Sequence, residues 1–146
     1  MIARAIETAR HGPYSTEADT PLARVDIPKG RAPEFRVAVG DVVYAAMTAT
    51  LDVPIGDRFQ VICEHESTHL VIDPHYLGIE RTADAVIIQV TLSEGRTADQ
   101  KKAFYKAIAN GLRQRIGFRA EDVFVNLIEV KRENWSLGLG IAQFAP

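Results

Sequence analysis

The sequence predicts an α/β protein, more closely an α+β two-layer sandwich in which duplicated β-α-β units place two helices on one face of a mostly four-stranded sheet. The first observation is an internal repeat: residues 25–31 (VDIPKGR) match residues 90–96 (VTLSEGR) at an offset of 65 positions. The second is that each copy contains, in the same order, an apolar strand, a Gly-Arg turn, a long helical segment and another apolar strand. Right-handed crossovers make the two strands of each unit parallel. Further matches at this offset are Asp57 with Asp122, Phe59 with Phe124, and Glu64 with Glu129.

The first unit begins with a strand over residues 22–27, where apolar residues alternate with others. A helix is predicted from Pro33, because proline suits the first turn of a helix and apolar residues then recur at helical spacing. The helix ends before Pro54, which lacks an amide hydrogen and crowds the preceding turn. The second strand covers residues 59–63. The apolar positions of the helix are Phe35, Val39, Val42, Val43, Ala46 and Met47.

The second unit opens with residues 85–92 (AVIIQVTL), a strand apolar enough to lie in the centre of the sheet. Thr97 and Gln100 have the spacing of a capping box, in which the two side chains satisfy backbone groups at the start of a helix. Gly117 is a natural left-handed stop at the end of that helix. The last long strand is Val123–Val130. Between the cap and the stop, apolar residues fall at every fourth position, at Phe104, Ile108, Leu112 and Ile116.

The first twenty residues differ from the rest of the chain. We predict a flexible or loosely docked extension over residues 1–20, followed by a domain over residues 21–146 that contains both repeats. A secretory signal needs an uninterrupted apolar core of about 7–15 residues, whereas charged residues such as Arg4 and Glu7 interrupt this segment. Chain termini are commonly unanchored. The regular part of the chain is therefore expected to begin near Pro21.

Composition and charge exclude several classes of function. The 146 residues include 17 Lys and Arg against 19 Asp and Glu, a formal net charge of −2, so no basic field favours nonspecific nucleic-acid binding. The apolar runs are far shorter than the roughly 20 residues that span a bilayer, and we expect no membrane partner. A single cysteine, Cys63, excludes an internal disulfide and a Cys-rich zinc site. These features favour a cytoplasmic location.

Residues 65–69 (HESTH) satisfy the H-E-x-x-H pattern of zinc peptidases, which requires both histidines on one face of a helix, one turn apart. The flanking residues 59–63 and 70–74 instead have the character of strands, and the second segment ends in proline. On a strand or a turn, His65 and His69 do not converge on one metal ion. We therefore interpret them as polar loop residues and expect no metal site, with a zinc peptidase as a minor alternative.

Arg31 and Arg96 occupy positions that suit ligand binding. Each follows a strand and a glycine just before a helix begins, at the end of the sheet where α/β proteins tend to bind ligands. An arginine holds a carboxylate through a planar pair of hydrogen bonds that lysine cannot reproduce. Position alone leaves two interpretations open, a carboxylate-binding residue and a solvated arginine in a turn.

Several short segments, taken in their order and spacing, cover nearly the whole chain outside the extension. They are residues 21–27, 53–54 with 57–60, 76–82, 95–97, 100–101, 104–105 and 134–136. Together they resemble the tautomerase superfamily, the 4-oxalocrotonate tautomerase-like group, and within it the long-chain branch that includes malonate semialdehyde decarboxylase.

This resemblance implies an enzyme that transfers protons on a small oxo-carboxylic acid, by keto–enol tautomerisation or a related decarboxylation or hydration, without a cofactor. It also implies a homotrimer with active sites between subunits. In the family an amino-terminal proline acts as base or acid, and Pro21 matches it. Arg96 matches a carboxylate-binding arginine at the start of the second helix, and Arg31 matches its equivalent in the first half, used by short-chain members. Asp57 matches the aspartate that the decarboxylase branch uses near its proline. Trp135 is expected to wall the substrate pocket with apolar surface, which favours a neutral amine by desolvation.

Two departures from the family pattern bear on this interpretation. The decarboxylase branch has paired arginines two positions apart, whereas residues 93–96 read Ser-Glu-Gly-Arg, with one. Pro21 follows Thr20, and the nitrogen of an internal proline belongs to a tertiary amide that cannot act as a base. Either Pro21 becomes the first residue, through removal of the extension or a different start site, or the protein is a noncatalytic or altered relative. Such a relative would bind a small acid with its proline blocked by residues 1–20.

Overall fold

The computed structural model of the chain describes residues 20–146, so the predicted extension, apart from Thr20, lies outside the described residues. The elements are β1 (Leu22–Pro28), α1 (Pro33–Thr50), β2 (Phe59–His65), β3 (Val86–Ser93), α2 (Ala98–Ile116) and β4 (Val123–Val130), with 3₁₀ turns at Tyr76–Gly78, Ala120–Asp122 and Arg132–Asn134. The predicted strands and helices of both units are present, whereas residues 70–74, which have the character of a strand, form no strand because no neighbouring strand of the sheet pairs with them. The 3₁₀ turns were not predicted, because a single turn is too short to show a hydrophobic period.

The four strands form one mixed sheet in the order β2-β1-β3-β4. The strands of each unit are parallel, as predicted, whereas the central pair, β1 and β3, is antiparallel. The pairing register confirms the repeat. Leu22 lies opposite Phe59 and Ile87 lies opposite Phe124, and each member of the second pair stands 65 positions after its counterpart in the first.

The pairing of β1 with β3 defines the position of a symmetry axis in the fold. Arg24 lies opposite Gln89, its own repeat equivalent, so a pseudo-two-fold axis passes between these two residues. The axis exchanges the two ends of the sheet. We call one end the proline edge, defined by Pro21, Phe59, Ser93 and Val130, and the other the distal edge, defined by Pro28, His65, Val86 and Val123.

The two helices pack on one face of the sheet and form the core, which confirms the predicted two-layer sandwich. The other face carries large apolar side chains that remain partly in solvent; Phe59 is 50% exposed and Phe124 is 42% exposed. None of the helices that the structure describes is long and apolar enough to cross a membrane. Fully buried core residues include Ala23, Val25, Ile27, Val39, Val43, Met47, Ile88, Val90, Phe104, Ile108 and Leu112.

Local capping signals begin and end the helices where the sequence predicts. Thr97 Oγ1 accepts a hydrogen bond from the Gln100 amide at 3.1 Å, and Gln100 Oε1 accepts one from the Thr97 amide at 2.9 Å, so the capping box is complete. Gly117 follows α2 with a φ of 64°, the left-handed conformation that stops a helix. Pro33 occupies the first turn of α1. The bounds of both helices therefore follow from residues within one turn of each end.

Ion pairs link the helices to the strands. Two of them are related by the repeat, Arg36 with Glu64 and Lys101 with Glu129. Each joins a helix to the next strand along the chain.

Asp41 of α1 links the two halves of the fold. It accepts hydrogen bonds from Arg58, just before β2, and from Arg115 of α2, each at 2.8 Å. The hydrogen bond from Arg58, followed by that from Arg115, lowers the pKa of the Asp41 carboxyl below its ordinary value of 3.8. The link therefore stabilises the fold above that ordinary pKa and is lost as the pH falls through the lowered one. Because all three side chains are partly in solvent, its contribution to the free energy of unfolding is small.

A glycine allows close packing between the two helices. Gly111 of α2 faces Val42 of α1, and a Cβ placed on Gly111 would come within 2.8 Å of Val42 Cγ1. Valine has few alternative rotamers in a helix because it is β-branched. Gly111 therefore occupies a position where a side chain is excluded, although glycine costs a helix about 1 kcal/mol relative to alanine.

We predict that Gly111→Ala lowers the free energy of unfolding by about 1–3 kcal/mol, the usual cost of overpacking. In a Val42→Ala background the obstructing methyl groups are absent, so the same substitution should raise the free energy of unfolding by up to about 1 kcal/mol. Urea unfolding of the four proteins in this cycle measures both effects. An effect of the same sign in both backgrounds would contradict the packing contact.

Candidate active site

Four of the five predicted site residues lie in segments that meet at the proline edge. Pro21 is buried just before β1, and the preceding Thr20 is only 4% exposed. The first residue of β1 pairs both with the first residue of β2 and with a residue near the end of β3. The segments that carry Asp57, Arg96 and Trp135 adjoin the start of β2 and the ends of β3 and β4. The sheet register therefore gathers these segments at one edge.

Arg96 is half-buried, and backbone carbonyls hold its guanidinium. Nε donates to the Leu51 carbonyl and Nη1 to the Ser93 carbonyl, each at 3.0 Å. Gly95, with a φ of 127°, makes the turn between β3 and this residue, a conformation that glycine adopts without steric cost. These contacts fix Arg96 between the end of α1 and the end of β3. A side chain that is already ordered loses less conformational entropy when it binds a carboxylate.

Asp57 lies in the loop between α1 and β2 and is half-buried. Its backbone N–H donates to the Pro54 carbonyl at 3.2 Å. Its carboxylate Oδ2 is shielded from solvent, and none of residues 20–146 donates a hydrogen bond to it. A buried polar atom without a partner is costly, and a catalytic role, local strain, or a bound water or ion accounts for such atoms. Within the described part of the chain, Oδ2 therefore keeps unused capacity to accept a hydrogen bond.

Trp135 follows the 3₁₀ turn at Arg132–Asn134, and its indole N–H donates to Ser93 Oγ at 3.1 Å. Ser93 is the last residue of β3 and is 1% exposed. It thus holds both Trp135, through its hydroxyl, and Arg96, through its carbonyl. Sequence analysis did not identify Ser93 as a site residue. The signal that could have indicated it is the departure at residues 93–96 from the paired arginines of the decarboxylase branch.

The structure places Arg31 at the distal edge, away from the other predicted site residues. Its guanidinium carbon lies 4.3 Å from the centroid of the Phe35 ring, and its Nη2 lies 3.7 Å from Asp84 Oδ2. Because β1 and β3 are antiparallel, the two Gly-Arg turns lie at opposite ends of the sheet. Arg31 and Arg96 do not share a pocket within one chain, and the binding of substrate by Arg31 stays a prediction.

The H-E-x-x-H motif does not lie on a helix. His65 is the last residue of β2, and its Nε2 lies 2.6 Å from Asp26 Oδ1. His69 is in a turn, where its backbone N–H donates to the Glu66 carbonyl at 2.9 Å. Within the described part of the chain, no group of three or more His, Cys, Asp or Glu side chains is arranged to hold a metal ion. The two histidines thus lack the convergence that a zinc peptidase requires.

The chemistry available at the proline edge depends on the nitrogen of Pro21. Thr20 acylates this nitrogen in the sequence, and amide delocalisation removes its basicity. As a free secondary amine the same atom could take up and return a proton. Arg96 supplies a planar pair of donors for a carboxylate, and Asp57 supplies a hydrogen-bond acceptor. With a free amine, this set of groups suits proton transfer on a small carboxylic acid.

Comparisons with known proteins identify the family to which the chain belongs. The family model described as "Tautomerase enzyme" matches residues 57–138. The probable tautomerase YusQ of Bacillus subtilis (strain 168) is 37% identical over 123 residues, which cover 84% of this chain and 97% of that protein.

Solved structures agree as well. Malonate semialdehyde decarboxylase, described with decarboxylase and hydratase activities and with a proline-to-alanine variant at its first residue, is 32% identical to this chain. The match covers 84% of this chain and 95% of that one, with a TM-score of 0.78. A wild-type fused 4-oxalocrotonate tautomerase, a symmetric trimer, matches 85% of this chain and 97% of its own at 21% identity, with a TM-score of 0.70, which shows the fold alone. The chain therefore belongs to the tautomerase superfamily of proton-transfer enzymes, in the long-chain branch that includes malonate semialdehyde decarboxylase.

Proposed function

We propose that this protein catalyses proton transfer on a small oxo-carboxylic acid, by keto–enol tautomerisation or a related decarboxylation or hydration, with Pro21 as the base once it is the first residue. The observation that carries the proposal is the buried Oδ2 of Asp57, which has no hydrogen-bond partner among the described residues and lies at the edge where Pro21 and Arg96 lie. The similarity to malonate semialdehyde decarboxylase over most of the chain supports the same class of reaction.

Each group has a separate role in the proposed reaction. Arg96 binds the substrate carboxylate and orients the neighbouring carbon towards Pro21. The pyrrolidine nitrogen removes a proton from the carbon beside the carbonyl, which leaves an enolate, and then returns the proton to the enolate oxygen to give the enol. Asp57 accepts a hydrogen bond from the protonated pyrrolidine, or from water in a hydration. Trp135 walls the pocket with apolar surface, which disfavours the charged form of the amine before substrate binds.

The residues around Arg96 favour tautomerisation over decarboxylation. Residues 93–96 contain one arginine where the decarboxylase branch has two. The Ser93 hydroxyl is engaged with the indole of Trp135 and carries no charge. A site with one guanidinium suits a substrate that presents one carboxylate and retains it.

The alternative is a noncatalytic or altered homologue that binds a small acid while its proline remains blocked. One observation favours it: Thr20 is 4% exposed, so the peptide bond between Thr20 and Pro21 is shielded in the folded domain. A protease reaches such a bond poorly. On this alternative, Arg96 and Asp57 would bind a carboxylic acid without turnover.

We also propose a homotrimer located in the cytoplasm. The open sheet face carries Phe59 and Phe124, which are repeat equivalents and remain about half in solvent. Exposed apolar surface of this kind commonly marks an interface between proteins, and a second copy of the chain is the partner we infer. The single cysteine is consistent with a reducing compartment.

We predict that a chain beginning at Pro21 is active and that the chain beginning at Met1 is inactive. A positioned base contributes about 10²–10⁴-fold, so kcat/KM for ketonisation of phenylenolpyruvate, followed by ultraviolet absorbance, should differ by about 100-fold or more. The matched control is Pro21→Ala in the short chain, which leaves a primary amine and should lose most of the activity. Equal activity of the two chains would exclude Pro21 as the base, and binding without turnover by both would support the alternative.

Arg96→Lys in the active form should raise KM about 10- to 100-fold with little change in kcat, because lysine cannot make the paired hydrogen bonds to a carboxylate. Steady-state kinetics with the same substrate measures this. Arg81→Lys is the matched control, since Arg81 also donates to backbone carbonyls, those of Asp73 and Tyr76, but lies in the loop between β2 and β3. A similar rise in KM for both variants would show that Arg96 has no specific role in binding.

Asp57→Asn should lower kcat by about tenfold or more, because an amide is a poorer acceptor for a protonated amine. It should leave the unfolding temperature unchanged or slightly higher, since Oδ2 has no donor to lose among the described residues. The contrasting variant is Asp122→Asn at the repeat-equivalent position. Asp122 accepts from the N–H and the hydroxyl of Thr82 at 2.7 and 2.6 Å, so this change should lower the unfolding temperature. If Asp57→Asn destabilises the fold as Asp122→Asn does, Asp57 has a structural role.

A further inference from the structure

The loop between α1 and β2 contains Asp57 and is held at both ends. At its start the Leu51 carbonyl accepts a hydrogen bond from Arg96 Nε at 3.0 Å, and Asp52 Oδ2 accepts one from Gln100 Nε2 at 3.0 Å. Both donors belong to the second unit. The end of the loop, beside Asp57, is held instead by side chains of the first unit.

Two different contacts fix the residues on either side of Asp57. The N–H of Gly56 donates to the hydroxyl of Tyr44, a residue of α1, at 2.8 Å. Arg58 Nη2 donates to Asp41 Oδ1 at 2.8 Å, and its guanidinium carbon lies 5.1 Å from the centroid of the Tyr44 ring, within the range of a cation–π contact. Tyr44 therefore contacts both neighbours of Asp57, one through its hydroxyl and the other through its ring.

A glycine of α1 provides the space in which the Arg58 side chain lies. A Cβ placed on Gly40 would come within 2.8 Å of Gln60 Oε1 and 3.3 Å of Arg58 Nη2. Gln60 Nε2 donates to the Gly40 carbonyl at 2.8 Å, and Gln60 Oε1 lies 3.4 Å from Arg58 Nε. Groups from both α1 and β2 therefore restrict the position of the Arg58 guanidinium.

The second unit has no equivalent of these contacts around Asp122, the repeat counterpart of Asp57. Both oxygens of Asp122 accept hydrogen bonds from Thr82, at 2.7 and 2.6 Å, so that carboxylate is held directly. Oδ2 of Asp57 has no donor among residues 20–146. The side chains that surround Arg58 in the first unit are replaced at the offset of 65 positions by Ala109 for Tyr44, Lys106 for Asp41, Val123 for Arg58 and Val125 for Gln60.

We propose that Tyr44 and Arg58 are positioning residues of the candidate active site, which orient the Asp57 carboxylate by fixing the residues on either side of it. A donor bound to Oδ2 would use the acceptor capacity that this atom keeps, so the orientation comes from the loop. Groups that are ordered before a reaction lose less entropy in its transition state. The kinetic consequence rests on the proposed function, in which Asp57 accepts a hydrogen bond from protonated Pro21, whereas the positioning does not.

The first test is the side-chain conformation of Asp57 in the full-length, ¹³C,¹⁵N-labelled protein, measured by three-bond couplings across its Cα–Cβ bond. We expect the couplings of a single rotamer in the unsubstituted protein. Tyr44→Phe removes the hydroxyl acceptor but keeps the ring beneath Arg58, and it should give couplings averaged over rotamers. Arg58→Lys should do the same, because lysine keeps the charge but lacks the planar guanidinium. The matched control is Tyr105→Phe, which removes a phenol hydroxyl from α2 and should leave the couplings unchanged.

The second test is kinetic and distinguishes positioning from general support of the fold. In the active form, Tyr44→Phe should lower kcat about three- to tenfold, the value of one hydrogen bond. KM should change little, because Asp57 acts on the amine and not on the substrate carboxylate. The same substitution in an Asp57→Asn background should have no further effect on kcat, since Tyr44 acts through Asp57.

Three results would overturn the proposal. They are averaged Asp57 couplings in the unsubstituted protein, couplings in Tyr44→Phe that match those of Tyr105→Phe, and a loss of kcat from Tyr44→Phe that is equally large in the Asp57→Asn background. The couplings require no turnover, so they decide the positioning even in a protein without activity. An inactive protein whose couplings respond as expected would contradict the proposed function alone.

Discussion

The antiparallel pairing of β1 with β3 determines which side chains meet at each end of the sheet. Within one β-α-β unit, the first strand runs from one end of the sheet to the other. Its start and the Gly-Arg turn after it therefore lie at opposite ends of the sheet. Because the central pair runs antiparallel about Arg24 and Gln89, the start of each unit meets the Gly-Arg turn of the other. Pro21 thereby shares an edge with Arg96. A parallel central pair would have placed the two arginines together, at the end of the sheet opposite Pro21.

The nearly symmetric backbone carries chemically different edges. At the proline edge a half-buried carboxylate, Asp57, has an oxygen to which none of residues 20–146 donates a hydrogen bond, whereas both oxygens of its counterpart Asp122 accept hydrogen bonds from Thr82. Backbone carbonyls hold Arg96, while aromatic rings hold Arg31. Duplication supplies two similar backbone frameworks, and the side chains at the two ends differ.

The amide bond between Thr20 and the Pro21 nitrogen is covalent, and folding does not change it. Packing brings Pro21, Asp57 and Arg96 to one edge, and none of those contacts alters an amide bond to Thr20. The burial of Thr20 places that bond within the folded domain. The proposed base-catalysed reaction and the alternative of binding alone therefore differ in one peptide bond and not in the tertiary structure. The identity of the first residue, rather than any conformational property, therefore distinguishes the proposed enzyme from the alternative that only binds an acid.

Sequence determined the elements of this fold because the signals that define them are local. The bounds of α2 follow from Thr97, Gln100 and Gly117, which act within one helical turn, and the parallel pairing of each unit follows from the repeat and the handedness of crossovers. Tertiary structure alone decided which arginine joins Pro21, because that depends on the direction in which the two units pair. It also decided that Ser93 holds the indole of Trp135, a contact between residues 42 positions apart. Likewise, the lack of a donor to Oδ2 of Asp57 among residues 20–146 could not be predicted, since it depends on every side chain that packs around the atom. Local periodicity indicates the position of a residue within its own helix or strand. A site contains residues from several elements, and the register of the whole sheet determines which of them lie together.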